Sequence, residues 1–223
     1  ETVHSRFNTR VAVLAGDFLF AQSSWHLANL DNVDVVKLLS RVIMDLAEGE
    51  IKQNLNRYDS GQTFSKYINK SYCKTASLIA NSSKAAGVLS DISADKLEML
   101  YEFGKNIGLA FQVVDDILDF TGNDKQLGKP AVSDLASGYL TAPVLYALEE
   151  DKNLSVLIDR ELAEKNDLND ALEIIMSSGA IKKSRILAED FATHSKDAIL
   201  WLPESEYKRA LMALPEFVLS RLY

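Results

Sequence analysis

Between Gly108 and Phe120 the sequence reads "GLAFQVVDDILDF", an apolar run interrupted by Asp115, Asp116 and Asp119. An ionised carboxylate is very costly to bury unless it is paired or binds a metal. On a helix, Asp115 and Asp119 form an i,i+4 pair and Asp116 and Asp119 an i,i+3 pair, so the three carboxylates can converge on roughly one face. Carboxylates that close repel one another and need a compensating cation. Oxygen-only ligands with room for water suit Mg2+, which keeps several waters and bridges to substrate phosphates. The competing reading, a solvated acidic helix face, sits poorly with apolar flanks on both sides.

Cations that could join such a site follow and precede it. Lys129, in "NDKQLGKPAVSDLASG", lies in a loop just after the aspartate helix and could fold back over the metal. Lys74, in "SYCKTASLIA", has Thr75 beside it as a hydroxyl donor. Either lysine alone reads more readily as a solvated surface charge. Gln112, one turn before the aspartates, offers an amide to the same face or else satisfies itself at a helix interface. Carboxylates, Mg2+, lysines and a few neutral donors would together bind a diphosphate, and the metal would neutralise the charge that develops as diphosphate leaves. No nucleophile–base arrangement competes: His4, His26 and His194 are scattered, and neither G-x-S-x-G nor a P-loop occurs. The chemistry indicated is metal-assisted ionisation of a diphosphate ester.

The elements that must position these groups are helices. With only 4 Pro and 10 Gly in 223 residues, breakers are few and helical periodicity dominates. The pattern predicts helices at about 8–28, 32–56, 63–88, 94–121, 131–150, 153–165, 168–178, 180–201 and 204–221. Ser93 and Asn166 or Asp167 stand where N-caps belong. The apolar face of 11–28, with Val13, Leu14, Phe18 and Leu19, reads as core. Short connections and no linker predict one all-α domain over 1–223, a helical bundle.

An apolar fraction of 47% and a charged fraction of 25% are ordinary for a globular protein, and the length allows a real core. The net charge of −8 gives a nucleic-acid role no electrostatic support. The single cysteine, Cys73, excludes an internal disulfide and a cysteine-based zinc site, which points mildly to a reducing compartment. No apolar run approaches the length of a transmembrane helix.

At this point the text resembles the all-trans polyprenyl diphosphate synthases, class I prenyltransferases. The resembling segments are "ETVHSRFNTRVAVLAGDFLFAQ", "EGEIKQ", "YCKTASLIANSSKAAGVL", "GKNIGLAFQVVDDILDF", "LGKPAVSDLASGYLTAPVLYAL" and "GAIKKSRILAEDFA", in the family's order. The first of them, with its continuation to "SSWHLANLDN", leans toward the solanesyl-type synthases of plastids and cyanobacteria. The resemblance implies an isoprenoid-synthase bundle around a central cavity. It implies that Asp115, Asp116 and Asp119 bind Mg2+ bridging to an allylic diphosphate. By the same likeness Lys74, Thr75 and Gln112 contact that diphosphate and Lys129 closes over it, with Asp115, Asp116, Lys74 and Lys129 the catalytic set. The implied reaction joins isopentenyl diphosphate to the allylic primer, giving a medium or long all-trans polyprenyl diphosphate. A homodimer, a chloroplast location (or the cytoplasm of a cyanobacterium-like organism) and a peripheral membrane contact at product release are implied with it.

Two departures qualify the likeness. The family's first D-D-x-x-D motif has no counterpart in the chain and is expected upstream of Glu1, so this polypeptide alone is expected to be inactive. Tyr139, in "GYLT", stands where many members carry lysine. The alternative is a non-catalytic regulatory subunit, whose mark would be erosion of the metal motif.

Overall fold

The computed structural model describes residues 2–122 and 132–222, and among these no strand occurs. Two N-terminal helices of unequal length, α1 (Val3–Arg6) and α2 (Thr9–Ala28), lead into α3 (Val33–Leu55). Next comes α4 (Phe64–Ser71), which runs through a single π-turn, Tyr72–Ala76, into α5 (Ser77–Leu89). The central element is α6 (Ala94–Thr121), followed by α7 (Ser133–Ala136), α8 (Ala142–Glu150) and α9 (Asn153–Asp159). The fold ends with α10 (Asp167–Ser177), α11 (Ala180–Asp197) and α12 (Glu206–Ser220).

Helix α6 is central because its apolar residues recur at helical spacing: Phe103, Ile107, Ala110, Val113, Val114, Ile117 and Phe120 are all buried. It packs most extensively against α5 and α11. Two glycines let α5 and the turn before it come unusually near. A Cβ on Gly108 would lie 2.5 Å from Ala76 Cα, and one on Gly104 would lie 2.5 Å from the Ile79 carbonyl oxygen. The π-turn therefore rests directly on α6, carrying Lys74 and Thr75 with it. π-bulges of this kind tend to occur at functional sites.

Three of the predicted helices are shorter than their periodicity suggests. The stretch 131–150 is broken after α7, because Gly138 takes a left-handed φ of 80° and Thr141 is extended ahead of Pro143. This loop is anchored from afar: Tyr58 N–H donates to the Gly138 carbonyl at 2.9 Å, and Arg57 Nε donates to that of Ser137 at 2.7 Å. Helix α9 stops at Asp159, before Glu161 and Leu162 adopt positive φ of 59° and 52°. Helix α11 ends at Asp197 in a turn.

Helix α2 corrects a second expectation. Val13, Leu14, Phe18 and Leu19 are not core but exposed, with Phe18 64% accessible, and the helix buries no residue. Its apolar side chains are spread around the circumference, and among the described residues it packs chiefly on α1 and lightly on α3.

Candidate active site

A cleft of about 240 Å³ opens between α4, the π-turn, α6 and the 137–141 loop. Asp115, Asp116, Lys74 and Gln112 line it, as do Gln53, Lys70, Ser71, Asp134, Tyr139 and Thr141. The motif aspartates thus separate. Asp115 and Asp116 face the cleft, whereas Asp119 is fully buried and does not line it. Asp119 accepts hydrogen bonds from Ser133 Oγ at 3.2 Å and from the Asp134 backbone N–H at 3.1 Å. It therefore ties the chain that re-enters at α7 to the end of the aspartate helix. Lys129 lies outside the described residues.

Asp116 is held from three elements. Tyr67 Oη donates to Oδ2 at 2.6 Å, Gln112 Nε2 donates to Oδ1 at 2.8 Å, and Thr75 Oγ1 donates to Gln112 Oε1 at 2.6 Å. The bond from Thr75 fixes the Gln112 amide so that its nitrogen meets the carboxylate. Burial nevertheless pushes the Asp116 carboxyl up to about 6, against the lowering effects of Tyr67, Lys70 and Gln112. This is a carboxylate short of positive charge. Burial and the adjacent Asp116 charge push the Tyr67 phenol well up, so it stays a proton donor.

Asp115 is partly exposed and pairs with Arg221 Nη2 at 3.3 Å, the guanidinium lying 4.7 Å from the Phe111 ring centroid. Lys74 is engaged on the opposite wall by Glu50 Oε1 at 2.9 Å and Gln53 Oε1 at 2.7 Å. Lys70 projects beside it, 5.4 Å from the Tyr67 ring centroid. Burial lowers its ammonium pKa, opposed by the Asp116 charge. Tyr139 lies under Arg57, 5.7 Å from guanidinium carbon to ring centroid.

Among the described residues no group of three His, Cys, Asp or Glu side chains is disposed to hold a metal ion. Two carboxylates do fit the smaller requirement of Mg2+, which needs one or two protein carboxylates and takes further oxygens from water and phosphate.

Sequence reasoning missed Lys70, Tyr67 and Arg221. Lys70 had a signal, since it stands four residues before Lys74. Tyr67 reads as an ordinary core aromatic, and Arg221 reaches Asp115 from 106 residues away. The Tyr67 bond has a testable consequence. Because it favours the ionised carboxylate, Tyr67→Phe should raise the Asp116 pKa further and move the acid limb of the kcat/KM profile to higher pH. An acid limb unchanged from that of the parent would remove Tyr67 from this role.

Comparison with known proteins bears on the whole chain. The polyprenyl synthetase family matches residues 1–175. A prenyl transferase from Synechocystis sp. is 56% identical over 222 residues, a match spanning 100% of this chain and 69% of that protein. Solanesyl diphosphate synthase 2, chloroplastic, of Arabidopsis thaliana is 50% identical over 222 residues, covering 100% of this chain and 53% of the plant protein. Among solved structures, heptaprenyl diphosphate synthase from Staphylococcus aureus superposes with a TM-score of 0.93 at 30% identity, over 100% of this chain and 70% of that one. The chain thus spans about half of the plant relative's length and somewhat over two thirds of the other two.

Proposed function

This chain belongs to the polyprenyl synthetase family, and from that premise we propose that it carries the allylic-diphosphate half of a Mg2+-dependent trans-prenyltransferase site. The reaction joins isopentenyl diphosphate to an allylic diphosphate and yields a long or medium all-trans polyprenyl diphosphate. The observation that carries this reading is the meeting of Asp115 and Asp116 with Lys70 and Lys74 across one small cleft. Two acids facing two ammonium groups suit a ligand that brings both a cation and several phosphate oxygens.

Bound Mg2+ would neutralise the charge that grows on a departing diphosphate. The chain's own residues prepare for that event. Asp115 and Asp116 would hold the metal, and the Thr75–Gln112–Asp116 chain fixes one of these carboxylates in place before ligand arrives. Such prior ordering removes reorganisation from the chemical step. Lys74, fixed by Glu50 and Gln53, presents its remaining N–H to the cleft. The Tyr139 ring forms part of one side of the cleft. Asp119 would support the set by locking α7 in place rather than by direct ligation. Lys129 is proposed, on family likeness alone, to close over the same diphosphate.

Chloroplastic and cyanobacterial relatives favour a plastid or cyanobacterium-like setting. A homodimer is proposed on family likeness, and the exposed apolar side chains of α2 and α3, among them Phe18, Leu19, Met44 and Leu55, are compatible with it. The intact motif residues Lys74, Thr75, Gln112, Asp115, Asp116 and Asp119 argue against a regulatory subunit.

The test is an assay of the full-length protein with isopentenyl diphosphate and an allylic primer. Turnover is expected with Mg2+ and is expected to collapse in excess chelator. Undiminished turnover without free metal would sink the reading.

A further inference from the structure

No residue of the stretch joining α3 to α4 lines the cleft, yet three of them hold one of its walls. That wall is the chain from Asp134 to Thr141, which supplies Asp134, Tyr139 and Thr141 to the lining. Tyr58 Oη donates to the Ala136 carbonyl at 2.9 Å, and Arg57 Nε to that of Ser137 at 2.7 Å. The Tyr58 N–H donates to the Gly138 carbonyl at 2.9 Å, and Gln62 Nε2 to that of Leu140 at 3.2 Å. Backbone oxygens all along the wall are thus taken by one short stretch some 80 residues earlier. Asp119 pins the other end, through Ser133 and Asp134.

The backbone on both sides is bent to make this fit. Tyr58 has a φ of 53° and Gly138 one of 80°. A left-handed non-glycine residue is uncommon and persists only where its surroundings impose it. A Cβ at Gly138 would stand 2.5 Å from the Tyr58 ring, so glycine alone lets that ring lie against the wall.

Within this clamp Arg57 is the residue that also reaches a side chain of the cleft. Its guanidinium carbon lies 5.7 Å from the centroid of the Tyr58 ring and 5.7 Å from that of Tyr139. One planar cation therefore meets two rings while its Nε bonds the backbone two residues before Tyr139. An exposed arginine engaged in three ways is no idle surface charge.

We propose that Arg57 is a positioning residue of this enzyme: it touches no substrate and acts through Tyr139, setting that ring where it lines the cleft beside Asp115, Asp116 and Lys74. The kinetic consequence rests on the prenyltransferase reading; the clamp itself does not.

The experiment is a double-mutant cycle of Arg57→Met and Tyr139→Ala in the full-length protein, read by two measurements. The first is kcat/KM for the allylic diphosphate at saturating isopentenyl diphosphate. The second is hydrogen exchange of the backbone amides from Asp134 to Thr141. Arg57→Met is expected to lower kcat/KM about tenfold in the parent but by no more than about twofold in the Tyr139→Ala background, because the ring it sets is then gone. The amides of the wall are expected to exchange faster once the charge and the Nε donor are lost. Should the Met variant not fold, Arg57→Gln takes its place under the same thresholds. A merely structural Arg57 would cost the same factor in both backgrounds, and that result would overturn the proposal. So would kcat/KM within about twofold of the parent in Arg57→Met, or unchanged exchange along the wall. A parent that condenses no prenyl substrate, with wall amides freed by Arg57→Met, would leave the clamp standing and remove the functional reading instead.

Discussion

Asp116→Asn is expected to lose turnover by about three orders of magnitude and, at the same time, to melt higher than the parent protein. The first effect follows from the proposed metal. Charge stabilisation by a bound metal is worth several kcal/mol, and each ~1.4 kcal/mol is a factor of ten in rate. The second follows from burial. Asp116 is fully enclosed and its carboxyl is pushed from 3.8 to about 6 by desolvation. A folded-state pKa above the unfolded value means that folding favours the protonated form. The stability this contributes is present below about pH 4 and is lost as pH rises through about 6. At neutral pH the parent therefore carries an uncompensated buried charge costing on the order of 2–3 kcal/mol. Asparagine removes the charge and keeps the acceptor for Gln112, while its amide can donate to the Tyr67 oxygen. The melting difference should be small at pH 4, open between pH 4 and 6, and stay level above. Mg2+ with pyrophosphate should raise the melting temperature of the parent and leave that of the variant unmoved. A difference independent of pH would show that the carboxylate is already compensated, and normal turnover would return Asp116 to a structural role.

That opposition between stability and activity explains why part of the site was readable in the sequence. Charges inside an apolar run conflict with folding, and the conflict is plain from the order of the residues. The long regular elements were equally plain: the predicted 94–121 coincides with α6, and 8–28 differs from α2 by one residue at its start. Periodicity could not tell a buried apolar helix from an uncovered one, which is why Phe18 and Leu19 were misplaced. Nor could it choose among the three aspartates. Asp119 shares a face with Asp115 on paper, yet the chain returns at Ser133 and Asp134 and bonds to it. The break at 137–141 had its signs in Gly138 and Pro143, but the decisive force is the anchorage from Arg57 and Tyr58, some 80 residues earlier. Lys70 had only its spacing from Lys74 to mark it; its place in the cleft beside the Tyr67 ring came from the fold.

The same dependence of site on fold makes Gly108→Ala a stringent test. Its new Cβ would stand 2.5 Å from Ala76 Cα and 2.8 Å from Ala76 Cβ, next in sequence to Thr75. The nearest obstruction is backbone, so no rotamer change relieves it. Ordinary carbon contacts need about 3.5–4 Å, so the π-turn must retreat from α6 by about 1 Å. Overpacking of this kind typically costs about 1–3 kcal/mol, against which alanine returns at most about 1 kcal/mol of helix propensity. The retreat pulls Thr75 away from Gln112, where the bond is now 2.6 Å, and carries Lys74 with it. A displacement of about 1 Å at reacting groups can cost about a hundredfold in rate. Gly104→Ala is the control. Its Cβ would press on the Ile79 carbonyl and Ala80 Cα, one turn farther from the cleft. Both variants should melt lower by similar amounts, but only Gly108→Ala should lose kcat/KM by about two orders of magnitude per folded molecule. Equal losses of activity in the two would mean that the π-turn does not set the geometry of Asp116. Parent-like melting in both would mean that α5 can move off α6 at no cost, and that the close approach is not what these glycines secure.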